Sequence, residues 1–201
     1  MLVKASAITN LTDARYFAAR EVDFLGFNLE ENTPGYLDPM YMKAIREWVE
    51  GPKVVGEFVH APQSYVREAA AFFGLDAVQV PAATQDGWSE LEGLTIIATL
   101  SADDSNLDRL LETSAAFVSY FLVDINNVVD TVSGLPADVD AWKKRCADYP
   151  ILLRADVAAH RWPVLVDTLQ PAGIDLVGGE EERVGVKSFD EIEEIFEALE
   201  R

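Results

Sequence analysis

Cysteine, histidine and positive charge are all scarce in this chain of 201 residues. The single cysteine, Cys146, excludes an internal disulfide and a cysteine-rich metal site. It falls in the helix-like stretch Trp142 to Ala147, so it reads as a buried, idle thiol. The two histidines, His60 and His160, lie outside any spacing that suits a metal site and read as surface residues. Neither a metal nor a cofactor is expected. Lysine and arginine number 16 against 35 acidic residues, a net charge of −19. Such a chain has too little positive charge to neutralise nucleic-acid phosphates or to settle on an anionic membrane surface, so neither partner is expected. The acidity itself reads as solubility or salt adaptation rather than as a specific cationic partner. No apolar run approaches the ~20 residues that span a bilayer, and no leader is recognised ahead of Leu2. A cytoplasmic protein, monomeric or homodimeric, is the expectation.

Apolar residues at 49% and charged residues at 25% are ordinary values for a chain that buries a full core. Short apolar runs alternate with amphipathic stretches. Leu2 to Ile8 reads as a strand, followed by candidate caps Thr9, Asn10 and Thr12 and a helix to Glu21. Strands are then predicted at Val22 to Leu29, Lys53 to Val59, Asp76 to Val80, Leu94 to Leu100, Phe117 to Asp124, Pro150 to Arg154 and Ile174 to Val177. Helices are predicted between them: Asp38-Pro39 to Val49, Gln63 to Phe73, a brief one at Trp88 to Glu92, Asn106 to Thr113, Asp138 to Ala147 and Ala158 to Leu169. Asp103-Asp104 reads as a cap, and a final helix opens at Ser188. Eight strand–helix pairs without a G-x-G-x-x-G turn predict an α/β fold, a single (β/α)8 TIM barrel over residues 1–201.

In such barrels chemistry collects at the carboxyl ends of the strands. The polar residues predicted there are Lys4, Ser6, Asn28, Glu57, Gln79, Asp124, Arg154, Asp156 and Asp175. Lys4 and Ser6 share parity and so point to one side of the first strand. Glu57 interrupts an otherwise apolar strand. It reads either as part of an acid–base or cation site with Lys4 or Arg154 and Asp124, or as a satisfied ion pair in a polar mouth. Asp124 alone reads as a cap for the loop after it. Gly178-Gly179 suits an anion, but Glu180, Glu181 and Glu182 follow. Trp48, Trp88, Trp142 and Trp162 fall in helices, where core or interface packing accounts for them.

Several phrases, in order, resemble the phosphoribosylanthranilate isomerase family of tryptophan biosynthesis. Lys4-Ala5-Ser6-Ala7-Ile8-Thr9-Asn10 is similar to that family's Lys-Ile-Cys-Gly-Ile-Thr-Asn. Val22 to Phe27 is similar to Ala-Asp-Ala-Leu-Gly-Phe, Thr33-Pro34-Gly35-Tyr36 to Ser-Pro-Arg-Tyr, Val54 to Val59 to Val-Gly-Val-Phe-Val, and Asp76 to Val80 to Asp-Ala-Val-Gln-Leu. Phe121 to Asp124 resembles its sixth strand, and Gly173 to Leu176 with Gly185-Val186-Lys187 its last strand and turn. The resemblance implies a barrel and an Amadori isomerisation of N-(5-phosphoribosyl)anthranilate, in which an acid opens the ribose ring and a base takes a proton from carbon 2. It implies Asp124 as the acid, and it sets Ser6 where the family has its cysteine base.

The same resemblance exposes departures. A serine hydroxyl is a far weaker base than a thiolate. Gly35 stands where the family's carboxylate-binding arginine falls, and Pro81 where a histidine does. The glycine-rich phosphate turns are replaced by the segment 125–136, by Arg154-Ala155-Asp156-Val157 and by Leu176-Val177-Gly178-Gly179. The expectation is an isomerase-like barrel with weak or no standard activity. The alternative is a binding protein, or an enzyme for a small non-phosphorylated molecule, on the same barrel. The resemblance sets Ser6 and Asp124 as the catalytic positions. Lys4, Asn28, Glu57, Gln79, Arg154, Asp156, Gly178 and Gly179 are expected to line a small-molecule site at the mouth.

Overall fold

The computed structural model describes every residue except 83–87, 131, 179–180, 184–185, 188 and 201; for 181–183 and 186–187 it describes the backbone alone. Eight parallel strands close into a barrel in sequence order. They are β1 (Leu2–Ser6), β2 (Phe24–Asn28), β3 (Lys53–Glu57), β4 (Ala77–Pro81), β5 (Thr95–Ser101), β6 (Tyr120–Asp124), β7 (Ile151–Arg154) and β8 (Gly173–Val177). β1 seals the barrel against β8 over five residue pairs, Leu2 with Gly173 through Ser6 with Val177. Glu181–Arg183 (β9) and Val186–Lys187 (β10) form a small separate ribbon.

Around the barrel run α1 (Leu11–Ala19), α2 (Pro39–Arg46), α3 (Gln63–Phe73), α4 (Leu107–Ser114), α5 (Val139–Asp148), α6 (Trp162–Leu169) and α7 (Asp190–Leu199). The alternation expected from the sequence holds, with one difference. The fourth connection carries only a short 3-10 helix, Trp88–Leu91, where a brief helix was anticipated. Caps explain the starts: Asn10 accepts from the Asp13 amide at 2.9 Å, and Asp38 from the Met40 amide at 2.8 Å, with Pro39 inside the first turn. At α4 the N-cap is Asn106, without a side-chain bond of its own, and Asp104, one of the two expected caps, accepts from the Asn106 amide at 2.7 Å just ahead of it. Ser188 lies outside the described residues, and α7 starts at Asp190 behind Phe189.

Strand periodicity splits the core in two. Alternate residues such as Leu25, Phe27, Val54, Val78, Ile96, Val123 and Ile174 face outward and pack under the helices. Phe24, Val55, Ala77, Ile97 and Leu122 face inward and form a separate apolar floor inside the barrel. Trp88, Trp142 and Trp162 join the outer core, whereas Trp48 is 72% exposed, so core packing does not account for it. Cys146 is buried as expected, and that burial pushes its thiol up to about 11. Among the described residues no helix is long and apolar enough to cross a membrane.

Candidate functional site at the barrel mouth

One step above the apolar floor the barrel interior turns ionic. Lys4, entirely buried, projects inward from β1. An unpaired ammonium there would be prohibitively costly. Its Nζ lies 2.6 Å from Glu57 Oε1 and 3.3 Å from Asp175 Oδ1, and it donates to Ser6 Oγ at 2.5 Å. Ser6 donates in turn to Asp175 Oδ1 at 2.5 Å. Arg154, at the end of β7, reaches across to Asp175 Oδ2 through Nε at 2.7 Å and donates to Ser6 Oγ at 3.1 Å. Two cations and two carboxylates thus balance to zero around one hydroxyl. A hydroxyl offers one donor and two acceptor positions, and here all three are taken. Burial by itself would lower the Arg154 pKa; Asp175, with Glu57 and Asp124 behind it, outweighs burial and raises it.

The backbone makes room for this quartet. A Cβ at Gly26 would sit 2.0 Å from Glu57 Oε1 and 2.7 Å from Lys4 Nζ, so on β2, between β1 and β3, glycine leaves the space that these side-chain ends occupy. β1 stops at Ser6, two residues before the predicted end, because Ala7 turns into the left-handed region at φ 55°. That turn aims the Ala7 amide at Glu57 Oε2, 3.2 Å away. An L-residue held there is strained, and a hydrogen bond to a buried carboxylate helps to hold it.

The structure thus brings four of the expected positions together: Lys4, Ser6, Glu57 and Arg154. Asp175, expected at the same strand ends though not among the site-lining positions, joins them. The others go elsewhere. Asn28 is spent on its own loop, donating to Thr33 Oγ1 and the Pro34 carbonyl and accepting from the Glu30 amide. Asp124 accepts from the Asn126 amide at 3.0 Å, the loop cap that sequence also suggested, and remains half-buried at the end of β6. Asp156 is exposed and Gly178 partly so; Gly179 lies outside the described residues. Gln79 is buried beside Glu57 in the strand register, and its Oε1 has no hydrogen-bond partner among the described residues. Gly35 takes φ +76° with open space where a side chain would be, and no side chain reaches inward from it.

Beside the quartet a cleft of about 870 Å³ opens between the ends of β7 and β8 and the start of α7. Arg154 and Asp175 form its inner wall. Asp156, Asp190, Glu191 and Glu194 face it, so Arg154 is the only cation among its described lining residues. Asp190 and Glu191 stand in the first turn of α7, where acids suit the helix dipole, and the fold puts them in one cleft with Asp156. Among the described residues no cluster of three or more histidine, cysteine or acidic side chains is arranged to hold a metal ion.

Comparison with known proteins matches this architecture. The family model described as N-(5'-phosphoribosyl)anthranilate (PRA) isomerase matches residues 3–198. The N-(5'-phosphoribosyl)anthranilate isomerase of Gloeothece citriformis is 28% identical over 211 residues, covering 100% of this chain and 94% of that one. Its counterpart from Maridesulfovibrio salexigens is 24% identical over 208 residues, covering 99% and 98%. Among solved structures, phosphoribosyl anthranilate isomerase from Thermus thermophilus superposes with a TM-score of 0.75 at 23% identity, over 100% of this chain and 98% of that chain. A match across nearly every residue, at the scale of the whole barrel, makes this chain a member of the N-(5'-phosphoribosyl)anthranilate isomerase family.

Proposed function

We propose that this chain is a family member whose isomerase chemistry is absent or very weak, and whose mouth now takes a neutral or cationic polar molecule. One observation carries the reading: Ser6, at the position of the family's base, has every hydrogen-bonding position occupied inside a buried, charge-balanced quartet. A general base must reach the proton it removes and must be free to accept it. Ser6 is 2% exposed and meets neither condition. The acidic cleft supports the second half of the reading, because carboxylates crowding one arginine repel a phosphate dianion. The whole reading treats residues 1–201 as one barrel domain.

Direct assay of turnover on N-(5-phosphoribosyl)anthranilate tests the first half. Loss of a general base removes ~10²–10⁴ in rate, and the occluded site should take turnover below detection. Ser6→Cys alone should not restore it, because Lys4, Glu57 and Arg154 still fill the mouth. Growth without tryptophan in a strain that lacks the isomerase, abolished by Asp124→Ala, would overturn the reading. The second reading, an isomerase with a changed base, draws on Asp124, which keeps a half-buried carboxylate at the end of β6. That growth outcome is the one it requires. Thermal shift tests the ligand class: a ligand at a hundredfold excess over Kd stabilises by ~2.7 kcal/mol. Stabilisation by millimolar ribose 5-phosphate, lost in Arg154→Ala, would show that phosphate binding survives.

A further inference from the structure

On the outer flank of the barrel, a groove of about 820 Å³ runs between α2 and α3. Its floor is apolar and open to solvent: Phe72 is 77% exposed, Met40 62% and Tyr65 39%. On α3, Tyr65, Glu68 and Phe72 fall at positions i, i+3 and i+7, a stripe separate from the buried Val66–Ala70 face that packs on the core. α3 therefore carries, besides its core-facing side, an exposed side on which two aromatics flank Glu68. Solvent-exposed aromatics in a groove of this size mark interaction surfaces on soluble proteins. The rim is of one sign, because Glu31, Asp38 and Glu68 line the groove and no lysine or arginine does. Burial, and then the carboxylates of Glu31 and Asp38, hold the Tyr36 hydroxyl at the groove edge above its ordinary value.

The geometry points to a docking surface for a basic amphipathic helix of another protein, its apolar face on Met40, Tyr65 and Phe72 and its lysines or arginines on Glu31, Asp38 and Glu68. A helix laid in a groove is anchored by its own apolar side chains one and two turns apart, and Met40, Tyr65 and Phe72 offer the apolar floor to receive them. Charge selects the occupant. A second copy would bring a further −19 and an identical acidic rim against this one. A basic segment meets both rims with opposite charge. The face does not depend on what the barrel mouth binds.

The test uses the full chain and a fluorescein-labelled 14-residue amidated peptide of leucine and lysine, patterned for one apolar helical face. A scrambled peptide of the same composition and a leucine–glutamate peptide of the same pattern serve as comparators. At 150 mM KCl, fluorescence anisotropy should show saturable binding of the patterned peptide alone. Met40→Ser and Phe72→Ser should each weaken it on the order of tenfold, as loss of an interface anchor does. Glu68→Lys should weaken it too, while Trp48→Ser, outside the groove, should not. Matching circular dichroism and melting temperatures confirm that these exposed positions leave the fold intact. Equal binding of patterned and scrambled peptides would reduce the effect to net charge and overturn the proposal. Unchanged affinity in Phe72→Ser would overturn it as well. Sedimentation showing a dimer of the chain that Phe72→Ser dissociates would assign the groove to a second copy instead.

Discussion

The barrel interior has two storeys drawn from largely different strands: the floor from β2 to β6, the ionic layer from β1, β3, β7 and β8, with β3 alone giving a residue to each. On the lower storey Phe24, Val55, Ala77, Ile97 and Leu122 pack hydrocarbon on hydrocarbon. On the upper one Lys4, Glu57, Arg154 and Asp175 close ion on ion around Ser6. The lower storey is stabilised by removing apolar area from water and has no need of any particular partner. The upper storey stands only as a set, because each charge is tolerable through the others. Burial alone therefore does not say how a site answers to change. A floor of this kind loses stability by degrees, whereas a balanced quartet fails when one member is removed and survives when an opposite pair is removed.

That contrast can be broken most directly at Lys4. Lys4→Met leaves Glu57 without its cation and Asp175 with Arg154 alone, and breaking a buried pair costs about 3–5 kcal/mol. The urea midpoint should fall accordingly, and a loss under about 1 kcal/mol would mean that the quartet does not hold the upper storey. On the floor, Leu122→Ala should cost about 2–4 kcal/mol through lost contacts and a cavity, read in the same titration. Proton uptake sharpens the contrast next. Glu30 accepts from the amides of Val59 and His60, clamping the loop after β3. Burial alone would raise its pKa, but those hydrogen bonds and that from Ala61 outweigh burial and lower it. A carboxylate with a depressed folded pKa stabilises above its unfolded value, ~4.3, and loses that contribution as pH falls through the folded one. Amide exchange at Val59 and His60 should therefore quicken below about pH 4, ahead of exchange at Val55, and Glu30→Gln should show fast exchange already at neutral pH. The smallest effect is expected from Glu57→Val with Arg154→Met, which leaves Lys4 paired with Asp175. Replacing a buried ion pair with apolar groups is often neutral, so the change should stay within about 1 kcal/mol.

The architecture could be read before folding because its signals are local and repeated. Alternating parity, caps such as Asp38-Pro39 and short apolar runs each declare an element without reference to the rest of the chain. The site was legible only in part. Lys4 and Ser6 could be put on one side of β1 by counting, and Glu57 stood out as a carboxylate in an apolar strand. Their union with Asp175 and Arg154 depends on β1 meeting β8, a closure across 169 positions for the Ser6–Asp175 bond, which no local pattern contains. Asn28 shows the opposite failure. Counting assigns it inward at a strand end, but the turn through Thr33 and Pro34 consumes its side chain, and turn geometry of that kind is fixed by three dimensions rather than by spacing. The groove between α2 and α3 has no local signature, because Tyr65 and Phe72 look like any apolar residues of an amphipathic helix until the fold leaves them exposed.

Gly26 has a consequence for the order in which such a centre can be assembled. Its missing Cβ is the space that Glu57 and Lys4 now share, and it belongs to a Leu-Gly-Phe phrase of the kind the isomerase family carries. The room is set by the backbone of β2 and not by the side chains that fill it. A lineage entering this state by single steps meets an asymmetry: Glu57 beside an existing Lys4 gains a partner at once, and so does Arg154 beside Asp175, whereas enlarging residue 26 afterwards would expel both occupants of the vacancy. Once the quartet is in place the glycine acts as a ratchet. The way back to an open barrel mouth runs through positions 57 and 154, and any side chain at position 26 must first displace the ends of Glu57 and Lys4.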